Sequence, residues 1–129
     1  MSNDDFGDRM KTLEQMEAGR KCLPLLPVIA RLDGRGFSKF TAGLPRPFDT
    51  RLSNLMQETT KHLVEHTAAK CGYTQSDEIT LAWYSDSYDC QIFFDGKIQK
   101  MVSTLAAIAS VKFNKLLPSY LPEIGRAHV

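Results

Sequence analysis

Two acidic positions in this chain stand where packing does not call for a carboxylate. Asp33 closes an apolar run and opens Gly34-Arg35-Gly36. Asp77 and Glu78 sit within Gln75-Ser76-Asp77-Glu78, between two short segments rich in Tyr, Thr, Ile, Leu and Trp. A strand ending at Asp33 that pairs beside or between the strands flanking Asp77 brings these carboxylates close together, where they repel unless a cation lies between them. Hard ions such as Mg²⁺ take oxygen ligands and are typically held by one or two protein carboxylates plus substrate phosphates. Two such ions about 4 Å apart can activate an attacking oxygen and stabilise a leaving one in phosphoryl transfer. The glycines of 34–36 let backbone N–H groups converge on an anion such as a triphosphate. The same residues also spell ordinary turns, Asp33-Gly34 after a strand and 75–78 across a hairpin. Spacing alone leaves both readings open.

The elements that must position these groups can be read from periodicity. Phe6, Met10, Leu13 and Met16 predict an amphipathic helix ending near Gly19. LLPVIARL, from Leu25 to Leu32, is an apolar run bounded by Pro and by Asp33-Gly34, and predicts a buried strand. Gly34 to Phe48 carries so many glycines and prolines that a long shaped loop is expected. Asp49 is a candidate N-cap for a helix over about Thr50 to Ala69, with Leu52, Leu55, Met56, Thr59, Leu63 and Val64 on its apolar face. Lys70 to Tyr84 reads as a hairpin, and 91–94 as either a short strand or the entry to a last helix. That helix follows Asp95-Gly96 along Ile98, Met101, Val102, Leu105, Ile108, Ala109, Phe113 and Leu116, with Pro118 and Pro122 expected to stop it. The order predicts an α+β fold with an antiparallel sheet and its helices on one face.

Composition narrows the function classes. The 129 residues fit one domain, and 43% hydrophobic with 24% charged residues is a globular balance. Sixteen Lys and Arg against fifteen Asp and Glu exclude a basic sheath for bulk nucleic acid but leave room for a local basic groove. No apolar stretch reaches the roughly 20 residues of a membrane helix and the start is acidic, so a cytoplasmic protein is expected. Cys22, Cys71 and Cys90 form no CxxC pair and are expected to be reduced and structural. His62 and His66 stand at the four-residue spacing that can place two imidazoles on one metal, but no third ligand is near in sequence, and a partly solvated helix flank explains them better. Lys97, Lys100, Lys112 and Lys115 fall on the polar side of the last helix, where solvation accounts for them and RNA phosphate is the alternative.

Four ordered blocks carry a resemblance. ARLDGRGFSKF (30–40), LPRPFDTRL (44–52), GYTQSDEITLAW (72–83) and IFFDGKIQKMVSTLAA (92–107) resemble the catalytic domain of the tRNA-His guanylyltransferase family, whose members add nucleotides to a tRNA 5′ end in the 3′ to 5′ direction. The resemblance implies a polymerase-palm-like, ferredoxin-like sheet lacking its last strand, with two main helices on one face. It implies two Mg²⁺ ions held by Asp33, Asp77 and the Gly34 carbonyl, with Glu78 supporting the catalytic site. The nucleotide triphosphate is expected on the backbone of Gly34, Arg35, Gly36, Phe37 and Ser38, with Asp33, Asp77 and Ser76 also contributing. Arg46 is expected to supply positive charge, and Asp49 matches a family Asp whose plain role is the helix cap. GTP, ATP and a tRNA 5′ end are the implied partners, and family members are tetramers.

Two departures bear on substrate choice. Ser38 stands where many eukaryotic members carry His, and Gly36 where they carry Asn, which favours 5′-end repair over strict tRNA-His selectivity. The family's later His-Ile-Asn-Asn-Leu-Tyr-Asn motif and further strand have no counterpart, so 1–129 is expected to be a partial palm, with about 1–24 as a helical extension. Two other readings compete: a nucleotidyl cyclase, disfavoured by QSDE in place of a GGDEF-type turn, and an inactive nucleotide- or RNA-binding protein.

Overall fold

The computed structural model describes residues 5–45 and 49–124. Its elements are helix α1 (Asp5–Ala18), strand β1 (Val28–Asp33), the short helix α2 (Phe37–Phe40), helix α3 (Thr50–Thr67), strands β2 (Cys71–Gln75) and β3 (Glu78–Trp83), a 3₁₀ turn (Phe93–Gly96) and helix α4 (Ile98–Tyr120). The strands form one antiparallel sheet in the order β1-β3-β2, so β1 lies beside the hairpin and not between its strands. This is the expected α+β architecture.

Period-two alternation sets the two faces of the sheet. Ile79, Leu81 and Trp83 on β3, with Val28 and Leu32 on β1, are buried beneath α3 and α4. Ile29, Arg31 and Tyr73 point to the open face and are exposed. Antiparallel α3 and α4 close the other side with Leu55, Met56, Leu63, Met101, Leu105 and Phe113. Polar atoms at this interface are satisfied: Trp83 Nε1–H donates to the Thr67 carbonyl (3.0 Å), and the Thr59, Thr60 and Thr67 hydroxyls donate to carbonyls one turn back.

Three expectations are corrected, and one that was open between two readings is resolved. The loop after β1 contains a helical turn, α2, because the Phe37 and Phe40 rings pack on each other and on Phe113 at 5.3 to 6.1 Å between centroids. Of the two readings left open for 91–94, the entry to the last helix is the one observed, as a 3₁₀ turn over Phe93–Gly96 that leads into α4. Pro118 does not stop α4 but lies inside its last turn, and the helix runs on to Tyr120 because buried Leu117 and Leu121 hold the turn, with the Leu121 N–H donating to the Leu117 carbonyl at 2.8 Å. All three cysteines are free thiols, but Cys71 and Cys90 are exposed, so only Cys22 contributes to packing. Among the described residues, no helix is long and apolar enough to cross a membrane.

Candidate active site

The sheet brings the acidic positions together at one end. Asp33, the last residue of β1, is the register partner of Glu78, the first of β3, so alternation puts both on the open face. Asp77 precedes Glu78 in the hairpin turn and borders a narrow recess with Leu32, Phe37 and Met56 on the helix side. The Gly34 N–H donates to the Asp77 carbonyl oxygen at 3.0 Å, which ties the chain leaving β1 to the turn. On the other strand of the hairpin, the Thr74 hydroxyl donates to the Glu78 carbonyl at 2.8 Å. Ser76, at the tip, takes a left-handed φ of 55°. Asp33 and Ser76 are exposed, and Asp77 and Glu78 half-buried.

The loop after Asp33 is shaped by two glycines and one ring. A Cβ on Gly34 would stand 2.4 Å from the Phe37 ring, so this close approach admits no side chain. Gly36, at φ 67°, occupies the left-handed region and starts α2, accepting from the N–H groups of Lys39 and Phe40. Phe37 is buried against Phe40 and Phe113 and anchors the loop in the core, while Arg35 and Ser38 are exposed. The sequence points to Phe37 through its backbone alone and does not disclose the part its ring plays, although the Phe37/Phe40 spacing is a weak helical signal.

Other positions are structural or lie outside the described residues. Asp49 is the N-cap of α3: the Arg51 N–H donates to its Oδ1 at 2.7 Å, and Arg51 Nη2 donates to its Oδ2 at 2.9 Å. Arg51 reaches on to Glu123 at 2.8 Å, clamping the start of α3 to the residues after α4. Hydrogen bonds from the Arg51 side chain hold the Asp49 carboxyl below its ordinary range, against the opposing effect of burial. Arg51 was not anticipated, and an Asp two residues before an Arg at a helix start is its signal. Arg46 lies outside the described residues.

Oxygen donors of this kind suit a hard cation. Among the described residues, no three His, Cys, Asp or Glu side chains gather into a cage. Asp33, Asp77 and Glu78 could instead offer single carboxylates at an accessible sheet end, to which waters and substrate phosphates would be added. A larger cleft of about 280 Å³ opens at the opposite end of the sheet, lined by Lys21, Cys22, Leu25, Tyr88, Cys90 and Asp95 among others. Its acid is already committed, since Lys21 Nζ pairs with Asp95 at 2.6 Å.

Comparison with known proteins identifies the fold and the family. A solved bacterial tRNA(His) guanylyltransferase (Thg1)-like protein in complex with GTP superposes with a TM-score of 0.86 and 36% identity, covering 97% of this chain and 60% of that one. The ATP complex superposes equally well, at 96% and 56% coverage. The tRNA(His) guanylyltransferase of Saccharomyces cerevisiae, at 21% identity and a TM-score of 0.76, shares the fold. In sequence, an uncharacterised protein of Acanthamoeba polyphaga mimivirus is 37% identical over 95% of this chain and 45% of its own length. The tRNA(His) guanylyltransferase of Schizosaccharomyces pombe is 28% identical over 81% of this chain and 40% of its own. The chain thus spans less than half the length of these curated relatives. With the family model for tRNAHis guanylyltransferase matching residues 7–128, the chain belongs to that family.

Proposed function

We propose that this chain carries the nucleotidyl-transfer site of an enzyme that adds GMP or other nucleotides to the 5′ end of tRNA in the 3′ to 5′ direction. The observation that supports this best is the sheet end itself. Asp33 and Glu78 are register partners there, and Gly34 is hydrogen-bonded to Asp77. Related structures of this fold carry GTP or ATP, and the same nucleotides are the proposed ligands here.

Asp33, Asp77 and the Gly34 carbonyl would hold Mg²⁺, whose chemistry is to neutralise phosphate charge and activate a hydroxyl. Glu78 would keep the local field negative beside the pair. The backbone from Gly34 to Ser38, held by the buried Phe37 ring, would position the triphosphate, with Ser76 adding a hydroxyl from the turn and Arg46 a positive charge. The reaction class is two successive phosphoryl transfers. The RNA 5′-monophosphate first attacks ATP or GTP, forming a phosphoanhydride and releasing pyrophosphate. The 3′-hydroxyl of an incoming GTP then attacks that activated phosphate and displaces the nucleoside monophosphate. Neither transfer needs a protein nucleophile, and positioning and charge suffice. A cytoplasmic setting and a homo-oligomer are part of the same proposal.

The test is incubation with labelled GTP, ATP, Mg²⁺ and a 5′-truncated tRNA. Extended RNA is expected, and Asp77→Ala should abolish extension while the circular dichroism spectrum stays that of the parent. Undiminished extension by Asp77→Ala would falsify the assignment. Cyclic nucleotide as the product would move the chain to the cyclase reading.

A further inference from the structure

We propose that the surface formed by His62, His66, Lys112 and Lys115, where α3 and α4 lie side by side, docks the phosphate backbone of RNA. This rests on the RNA-substrate reading above and adds the place where the body of the substrate is held. The starting observation is charge. The 23 residues of α4 contain three lysines and no Asp or Glu, in a chain whose net charge is only +1. Arg51 at the start of α3 pairs with Glu123 just beyond α4, so the helices run antiparallel and the later half of α3 faces the middle of α4.

That juxtaposition gathers cations from two elements. His62 is half-buried, and besides burial its protonation is opposed by His66, Lys112 and Lys115, while Glu65 is the acidic group that favours it. The His62 and His66 rings are in contact, with centroids 3.9 Å apart and planes tilted by 33°. His66 Nδ1 lies 3.0 Å from the His62 carbonyl oxygen; since a carbonyl only accepts, Nδ1 carries the proton and Nε2 is left for solvent or a ligand. His66 and Lys115 are exposed, and Lys112 is half-buried. The nearby lysines oppose protonation of His62, and a polyanion laid across them relieves that repulsion while replacing condensed counterions.

The patch also lies near enough to the proposed chemistry for one substrate to touch both. Thr59 and Phe113, which border Asp77 in the recess, lie within one helical turn of His62 and Lys112. The acidic register pair lies on the open face of the sheet, so a helix layer and the sheet together, roughly 20 Å, separate it from the patch, a span within the reach of a folded RNA.

Fluorescence anisotropy with a 5′-truncated tRNA, across a salt series, tests the assignment on the full chain. Lys112→Glu with Lys115→Glu should weaken RNA binding about tenfold and flatten the log K against log salt slope by about 1.5, as expected for two lost phosphate contacts. RNA affinity should rise as pH falls below 6.5 and His62 takes up a proton, and His62→Gln should remove that gain. GTP binding should be unchanged in both variants. Parent-like affinity and slope in the lysine variant overturn the proposal, as does a parent protein with no affinity for RNA. Equally tight binding of inorganic phosphate, with no preference for RNA, overturns the RNA assignment. An RNA that binds through this patch but is never extended counts against the nucleotidyl-transfer reading alone.

Discussion

At the residue scale, the site depends on what is missing as much as on what is present. Gly34 has no side chain because the Phe37 ring occupies that volume, and its N–H holds the Asp77 carbonyl. Gly34→Ala forces the ring or the loop to move, so we expect a loss of about 1–3 kcal/mol in urea unfolding together with weaker GTP binding. Parent-like stability would show the ring to be free to shift. His62 gives a pH prediction. Its imidazole is held below the ordinary value of 6.5, first by burial and then by His66 and Lys112. The unfolded chain therefore takes up that proton more readily. The contribution of neutral His62 is complete above pH 6.5 and is lost as pH falls toward the lower folded value. His62→Gln should flatten the decline of the urea midpoint over that window, and an identical decline in parent and variant would assign it elsewhere. Asp33 and Asp77-Glu78 were legible as residues in the sequence because an acid at the end of an apolar run and an acid pair in a polar turn are both wasted as packing. The ring that anchors the loop was not, since a Phe among glycines does not announce which core it enters.

At the element scale, β1, the hairpin and the two long helices follow from alternation and from periodic apolar residues. The N-cap of α3 was readable at Asp49, and its side chain accepts from the Arg51 backbone as the cap requires. The failures share one cause, tertiary contact overriding local propensity. α2 exists because Phe37, Phe40 and Phe113 pack together, a contact between positions far apart in sequence. Pro118 is tolerated because it sits beside the buried Leu117, in a turn still held to the core. Phe113 links the helix layer, the loop and the recess beside Asp77, so Phe113→Ala should cost about 3–5 kcal/mol, a large share of a small domain's stability. Thermal unfolding checks this, and a drop under about 1 kcal/mol would mean that the three rings are not a unit.

At the scale of the whole molecule, one end of the sheet carries the acids, the helix layer behind it carries the cations, and the opposite end carries the larger cleft. No residue of α1 is buried, and its stripe of Phe6, Met10, Leu13 and Met16 is exposed, as are Ile29 and Tyr73 on the open sheet face. The amphipathic pattern of α1 was readable, but what its apolar side meets is not encoded in periodicity. Likewise, sequence could place Asp33 at a strand end and Asp77 in a turn, but only the pairing order β1-β3-β2 sets those two ends side by side. The account turns on whether these two residues share a metal. Mn²⁺ scatters anomalously and substitutes for Mg²⁺ at oxygen sites, so a crystal grown with GTP and Mn²⁺ reads the question directly. We predict anomalous density in contact with the carboxylates of both Asp33 and Asp77 and with the triphosphate. Ordered GTP without a metal bridging those two side chains would contradict the account.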